Sequence, residues 1–266
     1  MAEQKFTEKS YLATDQYKDS AKLAKRANLH TKYGSGDWFG WVAQQADVTS
    51  GAHILDIGCG AGWFWEAAQD QLPDGLDITL ADQSEGMVSE ASERVRSTGK
   101  WDRVAGIVAD VCALPFADAS FDRVFALHML YHADDQPAAV TEIARVLKPG
   151  GIAVVSTNGR NTMRSADLIR LAAFDLPDEP VINFTLENGA PLLERAFDSV
   201  TMRKRESEMR VTDPVDLFDY LTSFPPGDHA SEAELKKLEN LVAEGFDAGN
   251  GVFVIPLETG VFLCRN

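Results

Sequence analysis

The stretch His53-Ile54-Leu55-Asp56-Ile57-Gly58-Cys59-Gly60-Ala61-Gly62 constrains this chain more than any other. Its first half is short and mostly apolar, as in a buried strand. Three glycines at alternate positions follow at once. Glycines there let the main chain pass close to a ligand, and a helix after the turn offers free N–H groups. Residues 63–71 read as that helix. A strand, a glycine turn and a helix in this order form the opening unit of a parallel α/β sheet.

The alternation continues. Leu76 to Ala81 reads as a second strand, and Ser84 as the N-cap of a helix to about Ser97 with Glu85 in its first turn. Val104–Ala109 and Arg123–Leu127 read as strands three and four. Val140, Ile143, Ala144 and Leu147 have helical spacing within 138–147. Lys148-Pro149-Gly150-Gly151 stops that helix, and Ile152–Ser156 reads as strand five. Ligands in such sheets bind outside the carboxyl ends of the strands. Further on, helices are expected over Asn161–Phe174, Gly189–Phe197, from Pro214 to Phe224, and from Ser231 to about Gly245, where Ser231 and Glu234 form a capping box. Val200–Val211 reads as a strand and Gly251–Leu263 as a terminal strand or hairpin. The expected organisation is one domain over 1–266. It has a helical arm or lid at 1–45, a ligand-binding core at 46–158, a cap elaboration with a sixth strand at 159–250, and a terminal strand at 251–266.

Composition narrows the function classes. Over 266 residues, 25 Lys and Arg face 41 Asp and Glu, a net charge of −16. Such a body repels a phosphate backbone and an anionic membrane surface. The 45% apolar content suffices for a core. No apolar run approaches the roughly 20 residues of a membrane span, and MAEQKFTEKS has no apolar leader segment. Cys59, Cys112 and Cys264 match neither a disulfide framework nor a zinc pattern. A reducing, cytoplasmic compartment is expected. Residues 1–36 are net basic, either as a lid for an acidic cleft or as a solvated helix face.

The glycine loop departs from the dinucleotide fingerprint. A third glycine is required at the sixth position there, and this chain has Trp63. Asp56 would also repel a pyrophosphate, but not a cationic ligand. Ile54 to Gly62 resembles the first motif of class I S-adenosyl-L-methionine (SAM) methyltransferases, and the chain most resembles their type 11, small-molecule subgroup. The resemblance holds in register over about residues 50–157. It implies a Rossmann-like, mostly parallel seven-stranded α/β sheet with helices on both faces, an N-terminal helical arm and an inserted cap. It implies SAM as cofactor and S-adenosyl-L-homocysteine as product. It assigns the cofactor to Asp56, Gly58, Cys59, Gly60 and Gly62. Asp82 takes the ribose hydroxyls, Gln83 and Met87 lie near the adenine, and Asp110 and Val111 meet the adenine edge. Leu127 and His128 line the site, and Lys148 to Gly151 match the family's turn before strand five. Arg26 or Lys32 of the arm is placed to meet the methionine carboxylate.

If the methyl acceptor is a hydroxyl, a general base helps. His128 and His132 follow strand four and are the candidates, with a packed histidine as the plain reading of His132. Tyr17 and Tyr131 are candidate substrate contacts. His-x-x-x-His without a third ligand is no metal site. DNA amino-methyltransferases have a Pro-Pro-aromatic run after strand four, where this chain reads His128-Met129-Leu130-Tyr131. The Pro-Cys nucleophile of RNA cytosine enzymes is also missing. DNA is therefore excluded and RNA disfavoured, although Arg203-Lys204-Arg205 is a local basic patch. That patch equally reads as solubility charge on an edge strand. A small-molecule acceptor is expected, and the oligomeric state is open. The alternatives are a SAM-binding sensor, a tRNA or protein methyltransferase, and a nicotinamide oxidoreductase.

Overall fold

A computed structural model describes residues 21–178, 183–223 and 225–266, with side chains from residue 27 onward. It has a seven-stranded sheet in the order β3-β2-β1-β4-β5-β7-β6. The strands are β1 (His53–Ile57), β2 (Asp77–Asp82), β3 (Arg103–Val108), β4 (Phe121–Leu127), β5 (Leu147–Asn158), β6 (Ser199–Val211) and β7 (Phe253–Arg265). The first five pair in parallel. β7 runs antiparallel to both neighbours. The topological switch falls at β1, where the order turns from β3-β2 toward β4-β5. The glycine loop leaves the sheet there, in the crevice where α/β sheets bind ligands.

Helices α1 (Ala21–Tyr33), α2 (Trp38–Gln45), α3 (Trp63–Ala67), α4 (Glu85–Ser97), α5 (Gln136–Val146), α6 (Arg164–Ala173), α7 (Ala190–Leu193), α8 (Pro214–Leu221) and α9 (Glu232–Ala248) are described. Helix α3 is shorter than the expected 63–71; a 3-10 turn over Gln69–Gln71 completes that span. Helix α5 ends at Val146, and Lys148 to Gly151 already belong to β5. Asp37 caps α2, accepting from the Gly40 N–H at 2.8 Å, and so makes a helix of the Trp38–Trp41 stretch. Ser84 and Ser231 cap α4 and α9 as their sequence context implies.

Three apolar clusters fill the fold. Val124, Val155, Ile143 and Phe262 mark the cluster on one sheet face. Trp65, Phe125, Ile54 and Val42 mark the cluster on the other. The third joins α1 through Leu29 to the later helices through Leu217, Leu221, Leu238 and Val242, over Met209 and Ile255 of the sheet. The 159–250 segment therefore packs with the start of the chain. The ionic contact there agrees: Asp216 of α8 accepts from Lys32 at 2.5 Å, Tyr33 at 2.6 Å and Asn28 at 3.3 Å. Lys32 is thus committed to Asp216, which corrects its assignment to a cofactor carboxylate. Tyr17 lies outside the described residues. Arg26 lies in α1, and its side chain is outside them.

Among the described residues no helix is long and apolar enough to cross a membrane. Cys59, Cys112 and Cys264 are all free thiols.

Candidate active site

The loop after β1 is held by its backbone. Gly58 and Cys59 donate N–H groups to the Ala81 carbonyl at 2.8 and 3.1 Å, and Gly62 donates to Cys59 at 3.1 Å. Gly58 and Gly62 have φ of +71° and +77°, a region that disfavours any Cβ. A Cβ on Gly58 would lie 2.6 Å from Cβ of Met129, so glycine lets the post-β4 loop close over the turn. A Cβ on Gly62 would lie 2.9 Å from Cα of Ala91, so this glycine serves the contact between α3 and α4. Gly62 is not among the cavity-lining residues, unlike Gly58, Cys59 and Gly60.

Asp82, at the end of β2, accepts from the Gly60 N–H at 3.1 Å with one oxygen and from the Ser84 N–H at 2.9 Å with the other. Burial pushes its pKa up, and those backbone donors oppose the rise. The Gln83 N–H is a third backbone donor to it; a carboxylate has about four acceptor sites, so acceptor capacity remains for a ligand hydroxyl. Asp110 accepts from the Cys112 N–H at 3.0 Å and faces the same cavity, with Gln83, Met87, Val111 and Leu127.

Asp56 is 2% exposed and accepts from the indole N–H of Trp65 at 2.8 Å. The sequence places this carboxylate toward a ligand. It does line the cavity, but one of its oxygens is already engaged by Trp65. Burial raises its pKa to about 7; the Trp65 bond opposes this, and the nearby Asp82 adds to it. Between the ordinary value of 3.8 and about 7, the unfolded chain has released this proton and the folded chain has not. Stability from Asp56 is therefore full below pH 3.8 and lost as pH rises through about 7. In urea titrations, the stability of Asp56→Asn relative to the parent should rise by about 1 kcal/mol per pH unit across this window. The difference should then level off, and a pH-independent difference would refute the assignment.

His128 has φ of +53°. Its N–H donates to the hydroxyl of buried Ser156 at 2.9 Å and to the Ser156 carbonyl at 3.2 Å. The Trp38 ring lies 5.6 Å from the His128 ring. Burial, with a smaller effect from His30, lowers the His128 pKa to about 4, so the imidazole is neutral at neutral pH. Burial also lowers the pKa of His30. His132 and Tyr131 pack edge to face at 4.6 Å on the following turn. Burial pushes the Cys59 thiol far up, so it stays protonated and is no nucleophile.

Gly58, Cys59, Gly60, Asp56, Asp82, Asp110, His128, Tyr131 and His132 open onto one cavity of about 990 Å³. That lies at the top of the roughly 300–1,000 Å³ range of small-molecule sites, enough for a nucleoside-sized cofactor and a second molecule. Asp37, Asp56, Glu66, Asp82 and Asp110 are its lining carboxylates among the described residues. His30, Trp38, Tyr131, His132, Met163, Arg205 and Tyr220 line it as well. His30 and Arg205 were not singled out as site residues by the sequence. Arg205 read as solubility charge on an edge strand. β6 is indeed the edge, but Arg205 donates to the Asp37 and Ser35 carbonyls, both at 2.9 Å, and faces the cavity. Among the described residues, no group of three or more His, Cys, Asp or Glu side chains is arranged for a metal ion.

The family model described as "Methyltransferase domain" matches residues 55–155. "Methyltransferase GfsG" of Streptomyces halstedii is 33% identical over 182 residues, 67% of this chain and 65% of that protein. The chain spans less than two thirds of the length of the curated relatives it matches. Among solved structures, phosphoethanolamine N-methyltransferase 2 of Haemonchus contortus, in complex with SAM, superposes with a TM-score of 0.59 at 19% identity. That match covers 98% of this chain and 60% of the other. The [4+2]-cyclase SpnF superposes with a TM-score of 0.57 at 18% identity, covering 94% of this chain and 97% of the other. At these identities the structural matches show a shared Rossmann-like fold.

Proposed function

We propose that the protein moves a methyl group from SAM to a small-molecule acceptor, as the match of residues 55–155 to a type 11 methyltransferase domain suggests. The observation that carries this reading is the Asp82 carboxylate. It is fixed by the Gly60, Ser84 and Gln83 N–H groups at the switch point, beside a glycine loop, with acceptor capacity left toward a deep cavity. SAM bound there supplies an electrophilic methyl group on a sulfonium. In this reading Asp82 holds the ribose hydroxyls, and Gln83, Met87, Asp110 and Val111 surround the adenine. Gly58, Cys59 and Gly60 pass close beneath the cofactor, with Asp56, Leu127 and His128 completing the wall. Gly62 supports the turn from behind, and Arg26 remains a candidate for the methionine carboxylate. The whole chain acts as one domain, with the arm and the 159–250 cap enclosing the acceptor. Tyr17 and Tyr131 are its candidate contacts.

His128 and His132 differ in what they can do. A base works best with a pKa near the working pH. His128, at about 4, is a weak base and suits a hydrogen-bond acceptor that orients a hydroxyl. His132, which lines the same cavity, is the other candidate for taking a proton. An in-line transfer depends mainly on positioning and exclusion of water, which the enclosing arm and cap provide. Three free thiols suit a reducing, cytoplasmic compartment. The acidic balance of the chain disfavours DNA and RNA as acceptors.

Calorimetric titration with SAM and with NAD tests the cofactor, and radiolabelled methyl transfer into a metabolite pool tests the reaction. SAM should bind and NAD should not. Label should appear in a small molecule, less with His132→Ala and with SAM affinity unchanged. Binding of NAD alone overturns the reading. One observation favours a second reading, use of this fold without methyl transfer: the shared architecture with a protein titled a [4+2]-cyclase. Tight SAM binding with no label transferred to any acceptor would decide for it.

A further inference from the structure

The cavity has a polar wall that the cofactor reading leaves unused. β5, β7 and β6 lie side by side, and their register sets Asn158 opposite Thr259 and Thr259 opposite Arg205. Leu257 stands opposite Ser207. Residues two apart in a strand share a face, and all five line the cavity. The neighbouring Lys204 pairs instead with Glu206 and Glu258.

Arg205 is the only Lys or Arg among the described lining residues. Its two terminal nitrogens are anchored by neutral acceptors, the carbonyls of Asp37 and Ser35. The Asp37 carboxylate is occupied with the Gly40 N–H at the start of α2. No carboxylate of the described residues pairs with Arg205, and its remaining N–H donors have no acceptor among them. A Cβ on Gly36 would lie 2.2 Å from the guanidinium, so glycine at that position lets the α1–α2 link close on it. The result is an anchored guanidinium with no ion-pair partner among the described residues, with Thr259 and Asn158 beside it in register. Asp56, Asp82 and Asp110 line the cavity at the ends of the first three strands and a guanidinium lines it on the β6 wall, near Asp37.

We propose that this wall is an anion subsite for the acceptor, whose carboxylate or phosphate pairs with Arg205 and receives further hydrogen bonds from Thr259 and Asn158. This deepens the methyl-transfer reading and rests on it. Arginine is suited to the task because its planar fork matches both anions. The subsite would select acidic acceptors and hold them by the end remote from the reacting atom.

The full chain loaded with S-adenosyl-L-homocysteine is titrated with benzoate, phenyl phosphate and neutral benzamide. At least one anion should bind about tenfold tighter than benzamide, as for a charge-assisted pair; the stronger arm tells carboxylate from phosphate. Arg205→Gln should bring anion and amide within about twofold of each other, with S-adenosyl-L-homocysteine affinity unchanged, and Arg205→Lys should keep part of the preference. If Arg205→Gln does not fold, Thr259→Val should weaken the anion selectively. Equal binding of benzamide, no anion binding up to about 10 mM, or a preference that survives Arg205→Gln overturns the subsite. So does a loss of S-adenosyl-L-homocysteine affinity in Arg205→Gln, which would give the guanidinium to the cofactor. Failure of the parent chain to bind S-adenosyl-L-homocysteine instead overturns the methyl-transfer reading, and the subsite with it.

Discussion

Asp82→Ala should weaken SAM binding by at least about a hundredfold, because each charge-assisted hydrogen bond lost contributes about 1.5–3 kcal/mol. Two effects add. The variant loses the acceptor for paired hydroxyls, and it leaves the Gly60 and Ser84 N–H groups without their partner. The second effect frees the glycine turn from the end of β2 and so disturbs more than one ligand contact. Asp82→Asn separates the two, since an amide oxygen can still accept from one backbone donor. Its affinity should lie between those of Asp82→Ala and the parent. Calorimetric titration with SAM measures both, and an Asp82→Ala affinity within a few-fold of the parent would remove Asp82 from the site.

Gly62→Val should unfold the core. A β-branched residue at φ of +77° is strained whatever surrounds it, and here its Cβ meets the Ala91 backbone at 2.9 Å. Backbone cannot step aside as the end of a flexible side chain can. Gly62→Ala is the graded form, and it should lower the stability in urea by about 2–4 kcal/mol, from strain and overpacking together. That is a large fraction of the about 5–15 kcal/mol that holds a domain folded. Gly62 faces α4 rather than the cavity, so the folded fraction of Gly62→Ala should still bind SAM with near-parent affinity. An unchanged urea midpoint would mean that α4 withdraws without cost.

The first five strands were legible because each carries its own local signal, an apolar run ending in a turn. The glycine loop was legible because its function needs glycines whatever the rest of the chain does. Asp56 shows where local reading stops. A carboxylate next to a ligand loop reads as ligand-facing, and Asp56 lines the cavity, but the turn also returns Trp65 to one of its oxygens nine residues later. A signal was present, since a buried indole N–H requires an acceptor. Arg205 was misread for another reason. Three basic residues in succession alternate across the sheet, and only the register with β7 decides which one faces inward. His30 depends on how α1 docks against α8 through Asp216, a contact over more than 180 residues of sequence separation. No local pattern reports such a contact.

That separation has a consequence for synthesis. The glycine loop, Asp82 and Asp110 all lie in the first 110 residues and pair with near neighbours. The seat for α1 and for the link that follows it is built from Asp216 and Arg205 respectively, which leave the ribosome long after α1 itself. Contacts so distant close slowly, because the intervening chain must be ordered first. A nascent chain therefore completes its carboxylate pocket early and stays open at the arm until its last third has been translated.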